Sequence, residues 1–183
     1  MLKWIAIGIF VAVLSYGGWL YFSAGIPDFT RDLALAAASE PECQAANVVD
    51  AMRGRTDTEK AARRQAMALI ASLRLDPGIE TGHAGQIWKR AARYFWAKLF
   101  MPGDELARAM CAFGNAGGRA KNLPHLARLV AGRDLHQLDA SEREALIQVY
   151  FNELGGTRTE TEIRTFYSRR LKQARLHQVG HAP

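Results

Sequence analysis

The chain has 183 residues, 49% apolar and 23% charged, a composition that excludes disordered and low-complexity classes and leaves room for one core. Its 24 Lys+Arg against 18 Asp+Glu give a net charge of +6. The charge is spread over several segments, which reads as a solvated surface, and on a membrane-tethered chain it also suits anionic lipid or phosphate-bearing substrates; no nucleic-acid motif accompanies it, so no nucleic acid is expected as a partner.

Trp4–Phe22 is the first element, an uncharged apolar stretch that spans roughly 28 Å as a helix, about the hydrocarbon thickness of a bilayer. Trp4 at one end and Trp19 and Tyr21 at the other fit interfacial aromatic belts. Ser23-Ala24-Gly25 is a poor cleavage site and no cysteine follows closely, so the segment reads as an uncleaved anchor and not as a signal peptide. Lys3 precedes it, whereas Asp28 and Asp32 offset Arg31 after it. The positive-inside rule then places the domain outside the cytoplasm, which in a bacterium with a cell envelope means the periplasmic side of the inner membrane. The expected division is an anchor at 1–25, an exit segment and linker at 26–55, a helical domain at 56–178 and a tail at 179–183.

Past Ile26-Pro27, Asp28 or Thr30 can cap a short Ala/Leu helix running to about Ser39, broken by Glu40-Pro41. Thr56-x-x-Glu59 is a capping box, and the helix it opens carries Ala62, Ala66, Leu69, Ile70 and Leu73 on one face. Asp76-Pro77-Gly78 stops that helix. A second long helix runs from about Gly85 to Met101, with Ile87, Ala91, Tyr94, Phe95 and Lys98 along one side. Leu106, Ala109, Met110 and Phe113 repeat the spacing before the loop Gly114–Gly118. Asn122 and Pro124 start a short helix that Gly132 ends. Asp139-x-x-Glu142 caps another, with Leu146, Val149 and Tyr150 inward, and Ile163, Phe166, Tyr167, Leu171 and Ala174 mark the last. No alternating β-branched run competes, so the fold class is all-α.

Cys43 and Cys111 read either as two small buried side chains or as one disulfide in an oxidising compartment. The five histidines and two cysteines show no ligand spacing beyond His177 and His181 in the polar tail, so no metal and no cofactor is expected.

The segment from Lys98 to Ile147 resembles the second half of a family 51 glycosyltransferase domain, the peptidoglycan transglycosylase module of bacterial cell-wall synthesis. Asp104-Glu105-Leu106, the Gly-rich stretch from Phe113 to Gly118, and Leu126-Ala127-Arg128 match its pattern in order. Gly132-Arg133-Asp134-Leu135, Leu138 and Glu142-x-x-Ala145-Leu146 continue it. A second register is also present. In it Ala68–Ser72 resembles the lead-in to the family's catalytic Glu-Asp, and His83-Ala84-Gly85 with Trp88 resembles the His-x-Gly and Trp that follow. Arg143-x-x-Leu146-Ile147-x-x-Tyr150-Phe151-Asn152 then resembles the family's Lys-x-x-Ile-Leu-x-x-Tyr-Leu-Asn motif.

The resemblance implies a lysozyme-like helical domain acting on a lipid-linked peptidoglycan precursor. Such chemistry needs a carboxylate to deprotonate the attacking sugar hydroxyl and groups that hold the diphosphate. The residues that would carry it are Asp76, Glu80 and His83. The sequence departs from the family where Arg93 replaces a carboxylate and Ala112 an asparagine, and the family's Gly-Gly-Ser-Thr-x-x-Gln-Gln element has no match. Those departures imply weakened or lost catalysis. The alternative is a non-catalytic, membrane-tethered helical module that docks an envelope protein complex, with Asp76 and His83 as ordinary helix-end residues.

Overall fold

The computed structural model describes residues 2–74, 84–113, 121–152 and 159–179. They are helical throughout, with no strand among them.

Helix α1 (Leu2–Ser23) has 22 residues, about 33 Å of helix, and is long and apolar enough to cross a membrane. It is apolar all round, so no face of it is suited to water, and Trp4, Phe10, Leu14 and Phe22 are exposed. The exit from it is built locally. Gly25 takes a left-handed φ of 65°, and Pro27 sits in the first turn of α2 (Ile26–Ser39).

Helix α2 buries Ile26, Phe29, Leu33 and Ala37, one stripe at intervals of three and four, and packs on α6 (Gly103–Ala112). A 3-10 turn at Pro41–Gln44 buries Cys43, and α3 (Ala46–Arg53) buries Val48, Val49 and Met52. Residues 26–55, set apart above as an exit segment and linker, thus supply much of the apolar core. Cys43 is bonded to Cys111 of α6, with Cα atoms 5.7 Å apart, which ties the end of the α2 strand of chain to the helix it packs on.

Helix α4 (Asp57–Arg74) runs antiparallel to α5 (Ala84–Leu99). Arg64, in its first half, donates to the Lys98 and Met101 carbonyls at the far end of α5, at 2.6 and 2.7 Å. The rest of the domain is α7 (Leu123–Ala131), a 3-10 turn at Leu135–Gln137, α8 (Ala140–Asn152) and α9 (Glu160–Val179). Helix α8 packs on α3, α7 and α9.

Both expected capping boxes form. Glu59 N–H donates to Thr56 Oγ1 at 3.2 Å while the Glu59 carboxylate accepts from Arg55 N–H at 2.8 Å and Thr56 N–H at 3.3 Å. Glu142 N–H donates to Asp139 Oδ1 at 2.8 Å, and Glu142 Oε2 accepts from Asp139 N–H at 2.9 Å. Asn122 caps α7 by accepting from His125 N–H, and Gly132 closes it at φ 66°. Leu146, Val149 and Tyr150 face inward, as their spacing predicts.

Helices α4 and α5 differ from the periodic reading. On α4 the buried set is Met67, Ala68, Ala71 and Ser72, whereas Leu69 and Leu73 are each 48% exposed. Among the described side chains of α5, Ala97 alone is fully buried, and Ile87 and Phe95 stay 69% and 54% exposed. Small side chains let these helices approach their neighbours, and Leu69, Leu73, Ile87 and Phe95 remain outside the protein core.

Candidate functional site

Asp76, Glu80 and His83 all lie outside the described residues, as does the Gly114–Gly118 loop. Residues of the transglycosylase-like pattern that do lie within them can be followed one by one.

Asp104 opens α6 and pairs with Arg53 at 2.7 Å. Leu106, Leu126, Ala127, Leu135, Leu138, Ala145 and Leu146 are core residues. Arg128 bridges Glu42 and Asp134, and its hydrogen bond holds the Asp134 carboxyl below the ordinary range. Asp134 in turn forms a reciprocal cap with Gln137. Glu142, 6% exposed, caps α8 and accepts from Arg133. In the second register Ser72 bonds back to the Leu69 carbonyl at 2.8 Å, and Arg143 donates to the Leu138 carbonyl. Tyr150 donates its phenol toward the Met110 carbonyl at 2.8 Å and the Phe113 carbonyl, tying α8 to the end of α6. Trp88 stacks on Trp19 of the apolar helix. These polar groups are engaged in caps, helix ends and interhelical ties.

Two polar assemblies were not foreseen from spacing. The first is a cleft of about 400 Å³ between α3 and α8, lined in part by Asn47, Asp50, Arg55, Arg143 and Glu144. Glu144, which lines it, pairs with Arg63, and the two side chains are only 19% and 13% exposed. Arg63 also donates to the Ala51 carbonyl, and Gln148 Nε2 donates to Glu144 Oε1 at 3.0 Å. With Glu144 held by a guanidinium and an amide, the cleft offers hydrogen-bonding edges for a polar chain. It presents no paired nucleophile and base among the described residues.

The second assembly joins α8 to α9. Tyr167 is 6% exposed, and its hydroxyl has no hydrogen-bond partner among the described residues. Burial first, and then the Glu142 charge, push its phenol up to about 12. Arg175 lies 4.0 Å from Glu142 on the same side. No signal in the sequence pairs residues so far apart along the chain. Among the described residues no group of three or more His, Cys, Asp or Glu could hold a metal ion.

No family model matches the chain, and neither a curated protein nor a solved structure was found to match it.

Proposed function

We propose that this chain is a membrane-anchored, non-catalytic helical interaction module of the bacterial cell envelope. In this reading α1 spans the inner membrane, and the domain stands on the periplasmic side and docks a protein complex there. Any lysozyme-like, transglycosylase-like ancestry persists as scaffold alone.

One observation carries the reading. Of the polar residues that match the transglycosylase pattern within the described structure, most are spent on folding: Asp134 and Glu142 cap, Arg128 and Arg143 tie chain segments, and Tyr150 anchors helix to helix. A general base has to be within reach of substrate and free to accept a proton, whereas a capping carboxylate already accepts backbone N–H groups. The Cys43–Cys111 disulfide supports the periplasmic side, because such bonds persist in oxidising compartments. The polar α3–α8 cleft supplies the docking edge.

A paired experiment tests the proposal. Full-length protein in proteoliposomes is given lipid-linked disaccharide and the products are resolved, while a photo-crosslinking residue at Asn47 is activated in intact cells. The expected result is no glycan polymer and a discrete crosslink to an envelope protein. Glycan polymer would overturn the proposal, and so would an Asn47 probe that crosslinks to no protein.

A further inference from the structure

Helix α5 leaves Ile87, Phe95 and Leu99 outside the core, and their arrangement is regular. At about 100° per residue, Ile87, Ala91, Phe95, Trp88, Leu99, Ala92 and Trp96 occupy one continuous half of the helix. Lys98 falls near one end of that arc, between Ile87 and Ala91, and Lys89 stands at the other edge, whereas the fully buried Ala97 lies opposite. Ile87 is 69% exposed, Phe95 54%, Leu99 62%, and Phe100, just past the helix end, 66%. A helix facing water should carry charge on such an arc. This one carries none between its two lysines.

The arc lies beside the exit of α1. Trp88 stacks on Trp19 at 6.3 Å between ring centroids, with planes 9° apart, and Trp96 meets Tyr21 edge-on at 5.0 Å. On the other side of α5, Arg93 Nε donates to the Ala24 carbonyl at 3.0 Å, and its guanidinium sits over the Phe29 ring. A Cβ added to Gly25 would lie 3.1 Å from Arg93, so the turn out of α1 is closely fitted to α5. The two helices are thus held together at the level where Trp and Tyr side chains of a spanning helix meet the headgroups.

We propose that α5 is an interfacial membrane helix, whose apolar arc rests in the headgroup–acyl boundary of an anionic phospholipid bilayer. It is the same bilayer that α1 enters, so the inference rests on the reading of α1 as a spanning helix. Helices of this kind seat their apolar face about 5–10 Å into the boundary, and binding grows with buried apolar area and with attraction to anionic lipid. Lys89 and Lys98 flank the arc and put their charges at the level of lipid phosphate, the Lys98 ammonium lying over the Tyr94 ring at 5.5 Å from its centroid. The domain is thereby held against the membrane at two points and fixed in orientation, which a single tether does not achieve.

Nitroxide labels on single introduced cysteines test this in full-length protein, with the native disulfide kept intact, reconstituted in vesicles rich in phosphatidylglycerol. Labels replace Val11, Ala91, Phe95, Leu99 and Ser168, and collisions with oxygen and with a water-soluble nickel chelate are compared. Ser168 is an exposed position on α9, which packs on α7 and α8. The expected result is oxygen collisions exceeding nickel collisions several-fold at 91, 95 and 99, as at Val11, with the reverse at Ser168. In phosphatidylcholine vesicles the three α5 ratios should fall toward that of Ser168. Labels on α5 that meet nickel as freely as Ser168 while Val11 stays in lipid would overturn the docking and leave the anchor standing. Shielding from both reagents would overturn it in favour of a protein partner or a second copy. A Val11 label in water would remove the anchor and the docking together. Ratios unchanged in phosphatidylcholine would overturn the role given to anionic lipid.

Discussion

Reducing the Cys43–Cys111 bond should lower the stability of the domain by about 4 kcal/mol. The bond closes a loop with a sequence separation of 68, and constraining a loop of that length removes about 15 cal/mol/K of entropy from the unfolded chain. At room temperature this is about 4 kcal/mol, which for a chain of this size shifts the melting midpoint by roughly 10–15 °C. The structure supports placing most of the effect in the unfolded state. Both cysteines are fully buried, and α2 packs on α6, with Phe29, Leu33, Leu106 and Met110 in the shared core independently of the sulfurs' own contact area. Full-length protein in micelles would be melted by far-ultraviolet circular dichroism, oxidised and fully reduced, with thiols counted in denaturant beforehand. A Cys43→Ala/Cys111→Ala variant should melt near the reduced protein, and the double Ser variant lower still, because it buries two hydroxyls. Two reactive thiols in the unreduced, denatured protein would refute the bond. An unchanged midpoint on reduction would refute the loop argument.

Three further outcomes are expected. Tyr167→Phe removes a buried hydroxyl that lacks a partner, so it should be neutral or stabilise by about 1 kcal/mol in chemical denaturation at neutral pH. The Tyr167 phenol is raised from 10.0 to about 12, so its contribution is present below pH 10 and is lost between pH 10 and about 12; the Phe variant should lack that alkaline loss, and an identical pH profile would count against the assignment. Thr56→Ala should cost about 1 kcal/mol by breaking the cap of α4, and because Glu59 is lowered chiefly by the Arg55 backbone N–H, its share of stability is present above its ordinary value of 4.5 and should fade as pH falls below it. Tyr150→Phe leaves the Met110 and Phe113 carbonyls without that donor and should lower stability by about 1–3 kcal/mol, read from the denaturation midpoint.

The local signals were legible in the sequence alone. Capping boxes at Thr56 and Asp139, the Asn122 cap and the Gly132 exit are interactions over three or four residues, so short stretches of chain specify them without help from the rest. The all-helical class follows from the same short-range periodicity, and the uncharged stretch from Trp4 to Phe22 is legible from its composition. Whether Cys43 and Cys111 pair was not legible, because it depends on α2 lying against α6. Nor was the place of residues 26–55, whose Phe29, Leu33 and Val48 read as core residues once α6 packs beside them. Periodicity identified α4 and α5 as amphipathic, yet the faces they bury, with Met67, Ala68 and Ala71 on one and Ala97 on the other, depend on how the neighbouring helices lie. The candidate acids Asp76 and Glu80 and their partner His83 rest on spacing alone, since they fall outside the described residues. The pairing of Glu142 with Arg133 and the tie from Tyr150 to Met110 are contacts nine and forty positions apart, and a pattern of residue types along the chain carries no record of such distances.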